Sequence, residues 1–218
     1  MTETRQDSPG WTAIDQAVEK LLRGVEPLHW GTEHLPDQGV YGINAYRSGE
    51  NWLYVTYGLT ELFGKTSDDP QTSGWGFELT MRVPAVIEAP PNWPSRLLKS
   101  LGDYVYGTGN VFAATHRFDP GGPITGKDNT RLTAVAFADD PQLGATASPH
   151  GRIGFLTVVG ITQQEYAAMR RSTTMTVLDR IRAANPLLVT DRRRGETELG
   201  AEAVPDLSPT GLPKRGRQ

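Results

Sequence analysis

Glu78 is the first candidate for a chemical role, because it is a carboxylate in the middle of the apolar segment SGWGFELTMRV at 73–83. Large apolar side chains occupy alternate positions there, so a β-strand would place them on one face and Glu78 on the other. Those apolar side chains are Trp75, Phe77, Leu79 and Met81. A general base, a solvated edge residue and a member of a structural polar network are all compatible with this position.

The densest charge cluster is the run Arg192, Arg193 and Arg194 between Asp191 and Glu196. Guanidinium groups suit carboxylates and phosphates, which makes an anion pocket one interpretation. The other, which we favour, is a charged turn that closes the domain and pairs one arginine with an inward-facing carboxylate. Glu78 is the natural partner, so we predict a structural polar network of Glu78 with these three arginines.

Motifs of catalytic and metal-binding sites are missing from the sequence. It contains neither His-Glu-x-x-His, nor Gly-x-Ser-x-Gly, nor a phosphate loop ending in Lys-Ser/Thr. The absence of cysteine excludes disulfides and thiolate metal sites. The histidines, which we assign to loops, are His29, His34, His116 and His150. We therefore predict no catalytic residue, no metal and no cofactor.

Composition narrows the class of protein further. The 218 residues carry a net charge of −3, which argues against a nucleic-acid partner. No segment approaches the ~20 apolar residues of a membrane span, and the first residues lack the apolar stretch of a signal peptide. Together with the lack of cysteine, these features predict a cytoplasmic location.

The hydrophobic patterns predict one α+β domain, a mixed sheet with helices packed on it. Polar or proline-rich composition predicts disordered tails at 1–9 and 201–218, leaving a domain over 10–200. Predicted strands cover 39–47, 51–59, 73–83, 130–138, 151–161 and 185–191, and predicted helices cover 10–24, 90–110, 162–171 and 174–184. The predicted core includes Trp75, Phe77, Leu79, Leu101, Val105, Phe155, Leu156 and Val158. Thr162 and Glu165 have the spacing of a capping box.

The tetrapeptide Asp-Asp-Pro-Gln occurs twice, at 68–71 and 139–142, each time ahead of a Gly-Phe strand. A duplicated hairpin is one explanation. The other, which we favour, is that aspartate and proline are good turn residues ahead of strands.

Several segments together resemble the N-terminal domain of the Suppressor of fused family. They are WLYVTYGLTELFG, SGWGFELTMRV, PPNWPSRLLKSLGDYV, DDPQ before GRIGFLTVVGIT, and LLVTDRRRGET. The resemblance runs in order from about residue 11 to residue 198. The Gly-Phe-Glu-Leu-Thr strand and the Asp-x-Arg-Arg-Gly-Glu segment are distinctive in combination.

The resemblance implies a protein-binding module without catalysis. Animal members hold a short peptide of a Gli transcription factor between two domains, partly by strand addition. This sequence ends after the first domain and so looks like the single-domain bacterial relatives, among which immunity proteins of toxin systems are inferred. It therefore predicts a protein partner, with a toxin domain as the specific expectation. The alternatives are a regulatory scaffold that binds a peptide by strand addition and a hydrolase with an unfamiliar site.

The resemblance also points to binding residues in the loop 62–73. Phe63 lies where animal members place an aromatic side chain of the peptide groove. Asp69 is the nearest counterpart of an acidic groove residue, and the loop length makes Asp68 an equal candidate. We expect this loop and the adjoining sheet edge to form the contact surface, although ordinary loop packing would explain the same residues.

Overall fold

Eight strands join in one mixed sheet with four helices on its faces, in a computed structural model that describes residues 8–33 and 38–197. The strands are β1 (Leu28–Gly31), β2 (Gly42–Ser48), β3 (Asn51–Tyr57), β4 (Thr72–Pro84), β5 (Arg117–Phe118), β6 (Leu132–Asp139), β7 (Ala145–Ser148) and β8 (Gly151–Thr162). The helices are α1 (Pro9–Leu21), α2 (Asn92–Thr108), α3 (Gln163–Arg171) and α4 (Thr174–Ala184). The predicted α+β class is confirmed.

The order of the described strands is β1-β2-β3-β4-β8-β6-β5, with β7 also paired to β8. The β2–β3 hairpin turns at Gly49, whose φ of 58° suits glycine. β4 and β8 run parallel, with Thr80 opposite Thr157. Because parallel neighbours need a long connection, α2, β5, β6 and β7 all lie between them in the chain. The two segments that carry the sequence repeat are thus adjacent at the centre of the sheet.

The sheet buries apolar side chains on both faces. On one face, α2 packs through Leu98 and Leu101 on apolar residues of β3, β4, β6 and β8. The opposite face holds two clusters, one under α1 and one under α3 and α4. Every predicted core residue is buried except Trp75, which is half-buried.

Most predicted elements are present, but some predictions need correction. The segment 185–191 is not a strand, because Leu188 adopts a positive φ of 52° and only single main-chain bonds tie the segment to its neighbours. Short strands β1, β5 and β7 were not predicted, and β1 contains His29, which we assigned to a loop. Helix α1 starts at Pro9, inside the predicted N-terminal tail, and Ser8 is buried before it. His34 and residues 201–218 lie outside the described residues.

Local sequence explains how helix α3 begins. Thr162 accepts a hydrogen bond from the Glu165 amide at 3.2 Å, and Glu165 accepts one from the Thr162 amide at 2.8 Å. The predicted capping box at the start of α3 is confirmed.

None of the described helices is long and apolar enough to cross a membrane.

Candidate functional site

Glu78 is fully buried and holds the turn that follows β3. Its Oε1 accepts hydrogen bonds from the amide of Gly58 at 3.0 Å, the amide of Thr60 at 2.9 Å and the hydroxyl of Thr60 at 2.7 Å. Its Oε2 accepts from the Thr56 hydroxyl at 2.6 Å. Burial raises the pKa of Glu78 to about 7, against these hydrogen bonds, which lower it. The carboxylate is therefore a structural group, closed to any substrate.

The predicted pairing of Glu78 with Arg192, Arg193 or Arg194 is wrong. Thr56, Thr60 and main-chain amides occupy both oxygens of Glu78. Within the described chain, none of the three arginines makes a hydrogen bond to it. The spacing of residues in the sequence does not indicate which carboxylate the arginine turn contacts in the folded chain.

Arg194 does pair with an inward carboxylate, that of Glu165 at the start of α3. Its two terminal nitrogens each lie 2.7 Å from a Glu165 oxygen, and one also donates to the Gly160 carbonyl at 2.7 Å. Burial opposes ionisation of Glu165, but the Arg194 guanidinium holds its pKa below the usual range. Arg193, which is exposed, instead pairs with half-buried Asp191. The predicted charged turn is therefore present, but the inward carboxylate that it pairs with is Glu165 and not Glu78.

A second buried ion pair lies on the polar face of β4, where sequence analysis missed it. Both terminal nitrogens of Arg82 donate to Asp140, at 2.7 and 3.0 Å, and the Thr80 hydroxyl donates to the same carboxylate at 2.6 Å. The side chains of Arg82 and Asp140 are 1% and 0% exposed. The polar face of this strand is consequently an internal hydrogen-bond network and not a cleft.

One buried carboxylate organises the loop 62–73. Glu61 accepts hydrogen bonds from the amides of Thr66 and Ser67, each at 2.6 Å, and from the Gly74 amide at 3.0 Å beyond the loop. Lys65 pairs with it at 2.9 Å. Although burial opposes it, this donor set lowers the pKa of Glu61 to about 2. Both ends of the loop are therefore fixed to one anion.

The three predicted binding residues differ in their exposure. Phe63 is half-buried and meets Tyr41 edge-on, with ring centroids 5.4 Å apart. Asp68 is exposed. Asp69 is exposed and accepts a hydrogen bond from the Gln71 amide at 2.8 Å, which lowers its pKa. The loop thus presents two acids to solvent from a fixed backbone, while the aromatic ring is partly packed.

The strand next to this loop is not an edge, contrary to expectation. The Trp75 amide of β4 donates to the Leu59 carbonyl at 2.9 Å, and on the other side Thr72 pairs with Arg152 of β8. Among the described strands, unpaired outer edges belong to β1, β5 and β7. Strand addition would therefore require one of these three.

The β5 edge lies beside a cluster of aromatic side chains. Tyr104, Phe112 and Phe118 lie within 4.9 to 5.8 Å of one another, measured between ring centroids. The turn before β5 includes Thr115 at a φ of 74°, a conformation uncommon for threonine. A strand of two residues has no detectable alternation, so sequence analysis could not identify this edge.

The described residues include no group of three or more acidic or histidine side chains able to hold a metal.

The chain is similar to known proteins over most of its length. A family model described as Suppressor of fused protein (SUFU) matches residues 39–195. The Suppressor of fused homologs of Homo sapiens and Mus musculus are each 29% identical to it in an alignment of 204 residues, which covers 88% of this chain. The chain spans 41% of the length of each of these two relatives.

Solved structures show the same fold. A chain of the Sufu–Fu complex has a TM-score of 0.79 at 26% identity, with 86% of this chain and 92% of that chain covered. Drosophila Suppressor of Fused has a TM-score of 0.80 at 25% identity, with 89% and 52% covered. A Neisseria gonorrhoeae SUFU homolog shares the fold at 12% identity, with a TM-score of 0.60 and 86% and 96% covered. Because the family model covers well over half of the sequence, the chain belongs to the Suppressor of fused family.

Proposed function

We propose that this chain is a non-catalytic protein-binding domain and that its loop 62–73 contacts the partner. The observation that carries the proposal is the fixing of this loop by buried Glu61 while Asp68 and Asp69 remain exposed. A recognition loop that is already ordered loses little conformational entropy on binding. A relative crystallised in a Sufu–Fu complex supports a protein as the partner.

The absence of catalysis is supported by where the reactive groups lie. Glu78 and Asp140 are buried, and protein donors occupy both carboxylates. A general base must come within hydrogen-bond reach of its substrate, which burial of these groups prevents. A hydrolase with an unfamiliar site is correspondingly disfavoured.

The proposed partner is a folded protein, with a toxin domain as the specific candidate. This follows from the immunity proteins inferred among single-domain bacterial relatives. An exposed acidic loop fits a partner with a basic surface, since charge complementarity speeds and orients association. A folded partner would bury an interface of about 1,600 Å² in total. The domain, with the whole of α1 included, would act in the cytoplasm as one binding unit.

The test begins with site-specific photo-crosslinking in the native host. A photoreactive residue at position 69 should capture one protein, whereas the same residue at exposed Asp179 on α4 should not. With that protein purified, the Phe63→Ala, Asp69→Ala double variant should bind at least tenfold more weakly by calorimetry. The matched control is Tyr166→Ala, Asp179→Ala, which removes an aromatic ring and an acid elsewhere. Unchanged affinity in a double variant with an unchanged Tm would refute the loop assignment.

A second candidate function is capture of an extended peptide by strand addition. The observation that favours it is the open β5 edge beside Tyr104, Phe112 and Phe118. Main-chain bonds would supply affinity, and the aromatic rings would select side chains. In that case Phe118→Ala would weaken binding and the Phe63→Ala, Asp69→Ala variant would not.

A further inference from the structure

The connection between β4 and α2 presents two adjacent aliphatic side chains to solvent. Val86 and Ile87 are 65% and 63% exposed, and in the described chain they are the most exposed of the large apolar side chains. The connection is anchored where β4 ends, because the Ala85 amide donates to the Glu50 carbonyl at 2.8 Å. Two prolines, at 90 and 91, restrict the backbone on the other side. The two side chains therefore form a small apolar patch on a restrained backbone.

A cavity lies on each side of this pair. One, of about 170 Å³, is lined by Val86 and Ile87 together with Pro91, Trp93, Arg192 and Arg193. The other, of about 490 Å³, is lined by the same two residues with Arg47 and Trp52. Val86 and Ile87 therefore form a ridge between two concave surfaces, which we call the 86–87 ridge.

The 86–87 ridge carries an excess of positive charge. Arg47, Arg192 and Arg193 line the two cavities, against the carboxylates of Glu88 and Asp191. Arg193 pairs with Asp191, and Arg47 lies over the Trp52 ring at 5.4 Å from its centroid. Arg192 is exposed, and its side chain has no hydrogen-bond partner within the described residues. The excess is one positive charge, three arginines against two carboxylates, on a chain whose net charge is −3.

We propose that the 86–87 ridge docks an extended partner segment that combines acidic and aliphatic side chains. The aliphatic side chains would cover Val86 and Ile87 and enter the smaller cavity beside Trp93. The carboxylates would meet Arg192 and Arg47, where guanidinium groups offer paired donors. The charge complementarity selects this occupant over a neutral or basic one.

This surface is separate from the one proposed above. The loop 62–73 runs into the first two residues of β4, the 86–87 ridge follows its last residue, and β4 is 13 residues long. At about 3.3 Å per residue, a regular strand of this length spans about 40 Å, which is an upper limit here because β4 is irregular between Thr72 and Phe77. One partner loop cannot occupy both.

The test uses the full chain and two fluorescein-labelled dodecapeptides, one alternating leucine with glutamate and one alternating leucine with lysine. Fluorescence anisotropy should show that the glutamate peptide binds and the lysine peptide does not. Val86→Ser, Ile87→Ser and, separately, Arg192→Glu should each weaken binding at least tenfold. The matched controls are Met175→Ser and Arg170→Glu, exposed residues elsewhere whose variants should bind as the wild type does.

Equal binding of the two peptides, or unchanged binding by the ridge variants, overturns the proposal. Sedimentation velocity identifies a competing occupant: a dimer abolished by Val86→Ser, Ile87→Ser would make the ridge a contact between copies. Binding seen only after removal of residues 198–218 would make the chain itself the occupant. Either result also overturns the proposal of a separate partner. Because the substituted side chains are exposed, the Tm of each variant should match the wild type.

Discussion

At the scale of single residues, buried carboxylates hold the turns of this protein, and Glu78 is the strongest case. Replacing Glu78 with alanine would leave the amides of Gly58 and Thr60 and the Thr60 hydroxyl without an acceptor. Each buried donor that loses its partner costs about 1–3 kcal/mol. We expect Glu78→Ala to lower the free energy of unfolding by about 3 kcal/mol or more in urea titrations. Glu88→Ala, at an exposed position, should change it by less than about 0.5 kcal/mol.

The pKa of Glu78 also predicts a dependence of stability on pH. In the folded protein burial raises this pKa to about 7, from an ordinary value of 4.5. Between these values the folded state holds a proton that the unfolded state releases, so stability falls as pH rises. The loss amounts to about 3 kcal/mol between pH 4.5 and 7, at 1.36 kcal/mol per unit.

The measurement is the free energy of unfolding from pH 4.5 to 8 for the wild type and Glu78→Gln, which cannot ionise. The difference between the two curves isolates Glu78 from the histidines. It also isolates Glu78 from Glu61, whose pKa of about 2 makes stability fall only as pH drops below 4.5. Parallel curves would show that folding does not raise the pKa of Glu78.

At the scale of elements, the arginine turn fastens the end of the described chain to the start of α3. Removing Arg194 leaves the buried Glu165 carboxylate without its cation, so we expect Arg194→Ala to cost about 3 kcal/mol. Arg193→Ala removes an exposed pair with Asp191 and should cost less than about 1 kcal/mol. Chemical denaturation of both variants gives the comparison. Equal losses would mean that the contact of Arg194 with Glu165 does not stabilise the fold.

The repeated Asp-Asp-Pro-Gln segments show why sequence predicts local structure better than its consequences. In both, the second aspartate accepts from the glutamine amide two residues later: Asp69 from Gln71 and Asp140 from Gln142. Both segments therefore form the turns that their residue types predict. Only Asp140 is buried and paired with Arg82, a difference set by the neighbouring strands.

Substitution of the two aspartates should separate these roles. Asp140→Ala leaves the Arg82 guanidinium buried without its partner, and we expect a loss of about 3–5 kcal/mol. Asp69→Ala removes one exposed turn bond and should cost less than about 1 kcal/mol. Thermal unfolding monitored by circular dichroism measures both. A small effect at Asp140 would show that the pair contributes little beyond its desolvation cost.

The sequence predicted long, regularly alternating elements correctly because burial on one or both faces dictates their pattern. It missed β1, β5 and β7, which contain only two to four residues and are too short for an alternation to identify them. The candidate loop could be located, but its anchor Glu61 could not, because Glu61 acts through amides that only the folded turn brings together. Partners distant in the sequence, such as Glu165 for Arg194, depend on how the elements pack and not on residue spacing.

At the scale of the whole molecule, the central strands connect the three apolar clusters. Leu156, Phe155 and Val159 of β8 belong to the clusters under α2, under α1, and under α3 and α4 respectively. Disrupting β8 would therefore expose part of every cluster at once. A shared central strand favours cooperative unfolding of the whole domain.

The distribution of tryptophan makes this cooperativity measurable. All five tryptophans lie at or before position 93, and none belongs to the cluster under α3 and α4. Tryptophan fluorescence thus reports the other two clusters, while far-UV circular dichroism also reports α3 and α4. We expect both signals to give the same Tm, because the clusters share β8.

The variant Leu178→Ala tests this, because Leu178 lies in the cluster that contains no tryptophan. We expect it to lower the free energy of unfolding by about 2–5 kcal/mol and to lower the Tm equally by fluorescence and by dichroism. A lower Tm in dichroism alone would show that α3 and α4 unfold as a separate unit, and the proposed single domain would have to be divided at β8.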